Sequence, residues 1–152
     1  MGLRAKIDKI LANILIFIMA LMVINVLWQV FSRYLMGSPS SFTDELARYL
    51  MIWVGILGAA YVSGKKGHVA IDVLLRKLSP APRKRLRLFI DLLISLFSLS
   101  ALVVGGGRLV YITYVLEQYS PAMQMPLAVV YAVIPVSGIL IIYYKIYDMI
   151  NN

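Results

Sequence analysis

The chain has 152 residues, 61% of them hydrophobic, against roughly 45–50% in soluble domains, which implies one compact membrane bundle rather than several domains. Fifteen Lys and Arg against seven Asp and Glu give a net charge of +8, but the basic residues flank apolar spans instead of lining one face of a soluble fold, so nucleic acid is excluded as a partner. The absence of cysteine removes disulfides, thiolate metal sites and a Cys nucleophile.

Arg4, Lys6 and Lys9 precede the first apolar run, about residues 10–36. That run is too long for a signal-peptide core and lacks a small-residue cleavage site, so it is expected to be retained. Asn25 and Gln29 lie one turn apart in it and suit hydrogen bonds to another helix, worth roughly 0.6–2 kcal/mol each in lipid. Arg33 stands near its end, and Gly37, Ser38 and Pro39 terminate it. Ser41 and Asp44 then form a Ser-x-x-Asp cap for the second span, about residues 42–64, with Asp44 and Glu45 in the first turn where the helix dipole favours acids. Together with Arg33 and Arg48 these acids are expected to form a charge network that sets the angle between the first two helices. Gly55, Ala59 and Ser63 recur every four residues, with Gly58 beside them, and this spacing admits close approach of another helix, from the same bundle or from a partner. Trp28, Trp53, Tyr111, Tyr114 and Tyr119 fit either interface anchors or core.

Between the second and third spans stand Lys65, Lys66, Arg76, Lys77, Arg83, Lys84, Arg85 and Arg87, eight of the fifteen basic residues. A basic segment flanked by apolar spans reads as a cytoplasmic loop, because Lys and Arg fix the orientation of the helices beside it. Within it Ile71, Leu74, Leu75 and Leu78 recur at helical offsets, with Asp72, Arg76 and Lys77 on the other side. This predicts a short amphipathic helix over 68–78, too short to cross and suited to the interface plane.

The third span, about residues 86–116, comes to about 46 Å against a hydrocarbon core of about 30 Å, so it should tilt, protrude or bend at Gly105, Gly106 and Gly107. Asp91 lies four residues after Arg87 and is expected to pair with it. Arg108 is expected to snorkel to the headgroups or pair with Glu117 or a lipid phosphate. A turn containing proline and methionine, residues 117–126, leads to the fourth span, about 127–147, with a kink expected at Pro135 and Lys145 near its end. With four spans, twelve basic residues share the side of both termini: Arg4, Lys6, Lys9, the eight above and Lys145. Arg33 and Arg48 stand on the other, and a bias of this size places the termini and the central loop in the cytoplasm.

Catalytic chemistry is poorly supported. His68 is the single histidine, so bis-histidine haem ligation is impossible, and no His and carboxylate cluster suggests a metal. The glycine triplet lacks the strand and lysine of a phosphate loop. No enzyme activity and no cofactor are expected. A self-assembling small multidrug-type efflux transporter is one alternative, but it calls for an acid deep in a span, and the first span has none. A generic anchor of a redox or sensory complex is another, and would need cofactor ligands or a partner that the sequence does not identify.

Arg33, Ser38-Pro39, Phe42-Thr43-Asp44-Glu45 with Arg48, Trp53, Gly58-Ala59, and His68-Val69-Ala70-Ile71-Asp72 together resemble the small, DctQ-like membrane subunit of tripartite ATP-independent periplasmic (TRAP) transporters. The resemblance is most specific over residues 28–75, and the third and fourth spans match in length and hydropathy. Many members carry Trp where Phe42 stands and Glu where Asp44 stands, both conservative differences. The resemblance implies an all-α membrane protein of the bacterial inner membrane: a single four-helix domain over residues 1–152 with the interfacial helix between its second and third spans. It implies two protein partners besides membrane lipids: a periplasmic substrate-binding protein and a large multi-span elevator-type subunit that holds sodium, with this chain as the non-catalytic scaffold that binds and stabilises the large subunit and helps to dock the binding protein. The substrate implied is an organic acid of the sialic acid, C4-dicarboxylate or sugar acid class. Residues expected at partner or structural contacts are Asn25, Gln29, Arg33, Phe42, Asp44, Glu45, Arg48, Trp53, Gly55, Gly58, Ala59, His68 and Asp72. Lys65, Lys66, Arg76, Lys77, Arg83, Lys84, Arg85, Arg87 and Arg108 are expected to face lipid or set orientation.

Overall fold

A computed structural model describes residues 2–37, 40–65 and 80–151. The expected helix over 68–78 lies outside the described residues, as do Ser38, Pro39, Lys66, His68, Asp72, Arg76 and Lys77. Among the described residues the regular elements are α1 (Leu3–Leu35), α2 (Ser41–Gly64), α3 (Pro80–Phe97), a π-helical stretch (Ser98–Gly105), α4 (Gly106–Val115), α5 (Leu127–Tyr131) and α6 (Val133–Ile150). Four stretches are long and apolar enough to cross a membrane: Leu3–Leu35, Ser41–Gly64, Pro82–Val115 and Leu127–Ile150. The chain is an all-α, multi-pass membrane protein.

The first three spans differ from their sequence expectations for local reasons, and the fourth breaks where Pro135 led one to expect it. The first begins at Leu3 instead of Ile10, because the side chains of Arg4 and Asp8 find partners on neighbouring helices and their turn can stay helical. Ser40, not Ser41, caps α2: its Oγ accepts from the Thr43 amide at 3.4 Å, and Thr43 Oγ1 donates to the Ser40 carbonyl at 2.9 Å. The third span widens into a π-helix, and the Gly106 amide closes that stretch on the Ala101 carbonyl five residues back. The fourth span is interrupted at Ala132, one residue after Tyr131, whose carbonyl has no donor at Pro135. There the Trp53 indole donates to the Val130 carbonyl at 3.1 Å and ties α2 to the break.

The helices form a row. The α1 backbone meets α2, α2 meets α5 and α6, and α6 meets α3, the π-helical stretch and α4. The fourth span is therefore central, with 39% of its apolar window buried inside the protein against 11–17% for the other three. Leu11 and Ile18 of α1, Leu57 and Ala60 of α2, and Val133, Ile141 and Tyr144 of α6 make up the buried apolar cluster. Because lipid tails are as apolar as these side chains, burial alone drives little association in a bilayer, and close packing and polar ties decide the arrangement. The glycines supply the packing. A β-carbon at Gly138 would lie 2.8 Å from Leu102 Cβ, one at Gly106 would lie 2.6 Å from Ile134 Cγ2, and one at Gly64 would meet the Tyr144 ring at 2.7 Å.

Candidate functional site

Polar clusters form at the two ends of the bundle, and the buried ionisable groups Asp91, Lys145 and Asp148 all lie at one of them. At the basic end the start of α1 meets the ends of α2 and α6. Arg4 near a helix N-terminus and Asp148 near a helix C-terminus each oppose their own helix dipole. They neutralise one another across the bundle, with Arg4 Nη1 donating to Asp148 Oδ1 at 2.6 Å. Arg4 Nη2 also donates to the Gly64 carbonyl, one of the acceptors left open at the end of α2. The guanidinium lies 5.7 and 4.9 Å from the ring centroids of Tyr144 and Tyr147. The Tyr144 hydroxyl donates to Asp8 Oδ1 at 2.6 Å, and Lys65 Nζ stands 3.6 Å from Asp8 Oδ2. These contacts tie the start of α1 to α2 and α6. Farther along α1 an apolar cleft of about 370 Å³ separates it from α6, lined in part by Ile7, Leu11, Ile14, Val136 and Leu140.

Asp91 corrects a sequence expectation. It pairs with Lys145 of α6, Nζ to Oδ1 at 3.1 Å, and not with Arg87; the two side chains are only 4% and 8% exposed. A basic residue four positions before an acid is the weaker helical order, and the buried Lys145 needs an anion more than a half-exposed Arg87 does. Lys65, Arg83, Lys84 and Arg85 are exposed at this end.

The other end is organised by α2. Asn25 is buried and donates to the Thr43 carbonyl at 2.7 Å, and Gln29 donates to Asp44 Oδ1 at 3.1 Å, so both join α1 to the start of α2. Arg48 pairs with Asp44 at 2.7 Å on the surface, a geometry that contributes little to stability. The expected four-residue network does not form: Arg33 is exposed and makes no ion pair among the described residues, and Glu45 turns the other way. Glu45 Oε2 accepts from Ser120 Oγ at 2.6 Å and from the amides of Ala122 and Met123, each at 3.1 Å. It thereby fastens the 117–126 loop to α2, a long-range contact for which the sequence carries no local signal.

Phe42 is exposed. Gly55 and Ala59 are exposed on α2, Gly58 is half-buried, and nothing lies within 4 Å of a β-carbon placed at either glycine. Ser63, the third member of the stripe, is buried inside the bundle, so the part of the small-residue face left open among the described helices is that of Gly55 and Ala59. Arg108 is exposed on α4 and does not pair with Glu117. Among the described residues no three His, Asp or Glu side chains converge to hold a metal ion.

Residues 10–152 match the family model for tripartite ATP-independent periplasmic transporters, DctQ component. The chain is 31% identical over 135 residues to a TRAP transporter small permease protein of Haemophilus influenzae, covering 89% of this chain and 82% of that protein. It is 32% identical over 104 residues to the sialic acid TRAP transporter small permease protein SiaQ of Vibrio cholerae, 68% of this chain and 60% of that protein. A stretch of 66 residues, 43% of this chain, is 36% identical to part of the sialic acid TRAP transporter permease protein SiaT of Haemophilus influenzae, of which it covers 11%.

Proposed function

The chain belongs to the DctQ component family of tripartite ATP-independent periplasmic transporters, and from that membership we propose that it is the stationary scaffold of a sodium-coupled importer of organic acids. It is a small TRAP permease subunit, a transport component and not an enzyme. In the reading proposed, a large multi-span permease carries the sodium and substrate sites, a periplasmic binding protein delivers the substrate, and this chain widens and steadies the large permease in the bacterial inner membrane. In this reading both termini face the cytoplasm, an orientation supported by the bias of twelve basic residues against two.

The observation that carries the scaffold role is the disposition of the buried charges. Arg4 with Asp148, and Lys145 with Asp91, join helices to one another. Intramembrane charges that serve a solute path face a cavity, whereas these hold the bundle rigid. The cleft between α1 and α6 is lined by apolar side chains, which suits contact with lipid or protein and gives an organic anion nothing to bind. Alignment of part of this chain with a small fraction of a longer permease supports a working association between such a segment and a larger membrane body.

The open small-residue face of α2 is proposed to receive the large permease, since close helix approach in lipid requires such residues. Co-expressed with the large permease of its transporter, the wild-type chain is expected to co-purify in detergent at a fixed ratio. The double substitution Gly55→Leu and Ala59→Leu is expected to reduce the co-purified fraction at least about tenfold, as loss of roughly 1.4 kcal/mol would. Because a side chain at Gly55 has free space around it, that variant should keep its own fold and elution position. Unchanged co-purification of the double variant would remove α2 from the interface, and failure of the wild type to co-purify would contradict the scaffold reading.

A further inference from the structure

The 117–126 loop is held more firmly than a connection between two spans requires. Besides the three hydrogen bonds that Glu45 accepts from it, the Ser120 amide donates to the Met125 carbonyl at 3.0 Å, the Gln124 amide to the Ser120 carbonyl at 3.0 Å, and the Leu127 amide to the Gln118 carbonyl at 2.9 Å. Tyr119 and Pro126 form an isolated bridge. Glu117 and Gln124 occupy the left-handed region, with φ of 47° and 53°, where a glycine would be easier. Such conformations persist where the surroundings over-determine them, and they concentrate at functional sites.

Behind this loop lies a half-open socket of about 300 Å³, walled in part by Tyr114, Glu117, Gln118, Tyr119 and Pro126. Three acids stand at this end of the bundle. Asp44 is paired with Arg48, Glu45 is engaged by the loop through Oε2, and Glu117 is exposed with no ion pair among the described residues. A free carboxylate, two exposed tyrosine rings and an amide around one concavity are the groups that receive a cation: the carboxylate pairs with it, the ring faces attract it, and the amide oxygen accepts a further N–H. The planar guanidinium of arginine suits such a set better than ammonium does.

We infer that the socket formed by Glu117, Gln118, Tyr114 and Tyr119 receives a basic side chain, arginine for preference, from the soluble protein that docks on this end of the bundle. The inference rests on the importer reading above, which supplies a soluble partner on this side. Glu45 acts as a positioning residue, because it fixes the loop without lining the socket. A rigid socket loses little entropy on docking, and one rim carboxylate steers the approach of an oppositely charged surface.

The test uses the co-purified complex of this chain and the large permease in lipid nanodiscs, immobilised, with the soluble binding protein of the same transporter as the probe, titrated by biolayer interferometry at low and physiological salt. Glu117→Lys is expected to raise Kd about tenfold or more and Glu117→Gln about threefold, with a flatter salt dependence in both. Tyr119→Ala is expected to act in the same direction. Glu45→Ala should weaken docking by releasing the loop, although every residue that lines the socket is unchanged. Co-purification of the large permease should be unchanged in all four. Wild-type docking with all Glu117 and Tyr119 variants equally tight would overturn the socket and leave the importer reading standing. Loss of large-permease co-purification by the wild type itself would overturn the importer reading, and the socket with it. If Glu117→Lys leaves docking intact but strips co-purifying phosphatidylethanolamine, the occupant is a lipid ammonium and the proposal is wrong.

Discussion

Truncating Lys145 to alanine is expected to destabilise the isolated protein by about 3–5 kcal/mol, because it leaves Asp91 buried without a counter-charge. Asp91 and Lys145 are both almost completely enclosed and 3.1 Å apart, so water cannot take the place of the missing partner. Asp91→Ala should cost a similar amount, since it strands the ammonium instead. Breaking one partner and replacing both are different experiments: the double variant Asp91→Leu with Lys145→Met removes both desolvation penalties and should recover most of the loss. Thermal unfolding in detergent, followed by tryptophan fluorescence, checks all four proteins. Single variants as stable as the wild type would mean that the pair does not hold α3 to α6.

Adding bulk at Gly138 or Gly106 is expected to separate the third and fourth spans. A β-carbon at Gly138 would stand 2.8 Å from Leu102 Cβ, 2.9 Å from Val103 Cγ2 and 3.2 Å from the Val103 backbone nitrogen. Neither a Cβ nor a backbone atom can swing away, so Gly138→Val has to displace a helix, at a cost on the order of 1–3 kcal/mol or more. At Gly106 the first obstacles are Ile134 and the ring of Pro135, at 2.6 and 3.2 Å, and Gly106→Val should behave likewise. Gly55→Ala is the control. It meets nothing within 4 Å and removes a flexible residue from a helix, so its effect should be neutral or stabilising by up to about 1 kcal/mol. Size-exclusion profiles and melting temperatures distinguish the two classes, and equal behaviour at Gly55 and Gly138 would contradict the close packing described.

The four spans were legible because hydropathy is a local property, and a run such as Ile10 to Phe31 announces itself without reference to the rest of the chain. The family was legible for a similar reason, since its signature is concentrated in the short stretch from Trp28 to Leu75. Contacts between helices were not. Asp91 was matched with Arg87 because a single sequence shows neighbours four apart and hides a lysine 54 positions away; only the placement of α6 in the middle of the row brings Lys145 to it. Glu45 was assigned to its own helix end for the same reason, while its partners lie at 120–123. Arg4 and Asp148 did leave a trace: a cation in the first turn of α1 and an acid in the last turn of α6 both oppose the dipole, and two mismatched charges at the same end of adjacent helices suit one another. Widening into a π-helix over Ser98–Gly105 left no comparable trace, because the glycines that close it fit a bend equally well.

The central claim is that this chain offers no path to solute and lends rigidity to a companion that does. It is tested most directly by sodium-driven uptake of labelled sialic acid, C4-dicarboxylates and sugar acids into proteoliposomes supplied with the binding protein, containing this chain alone, the large permease alone, or the two together. Full uptake is expected only with the pair, the large permease alone being reduced to a small fraction and this chain alone showing none. Transport by this chain in isolation, or full activity of the large permease without it, would contradict the account.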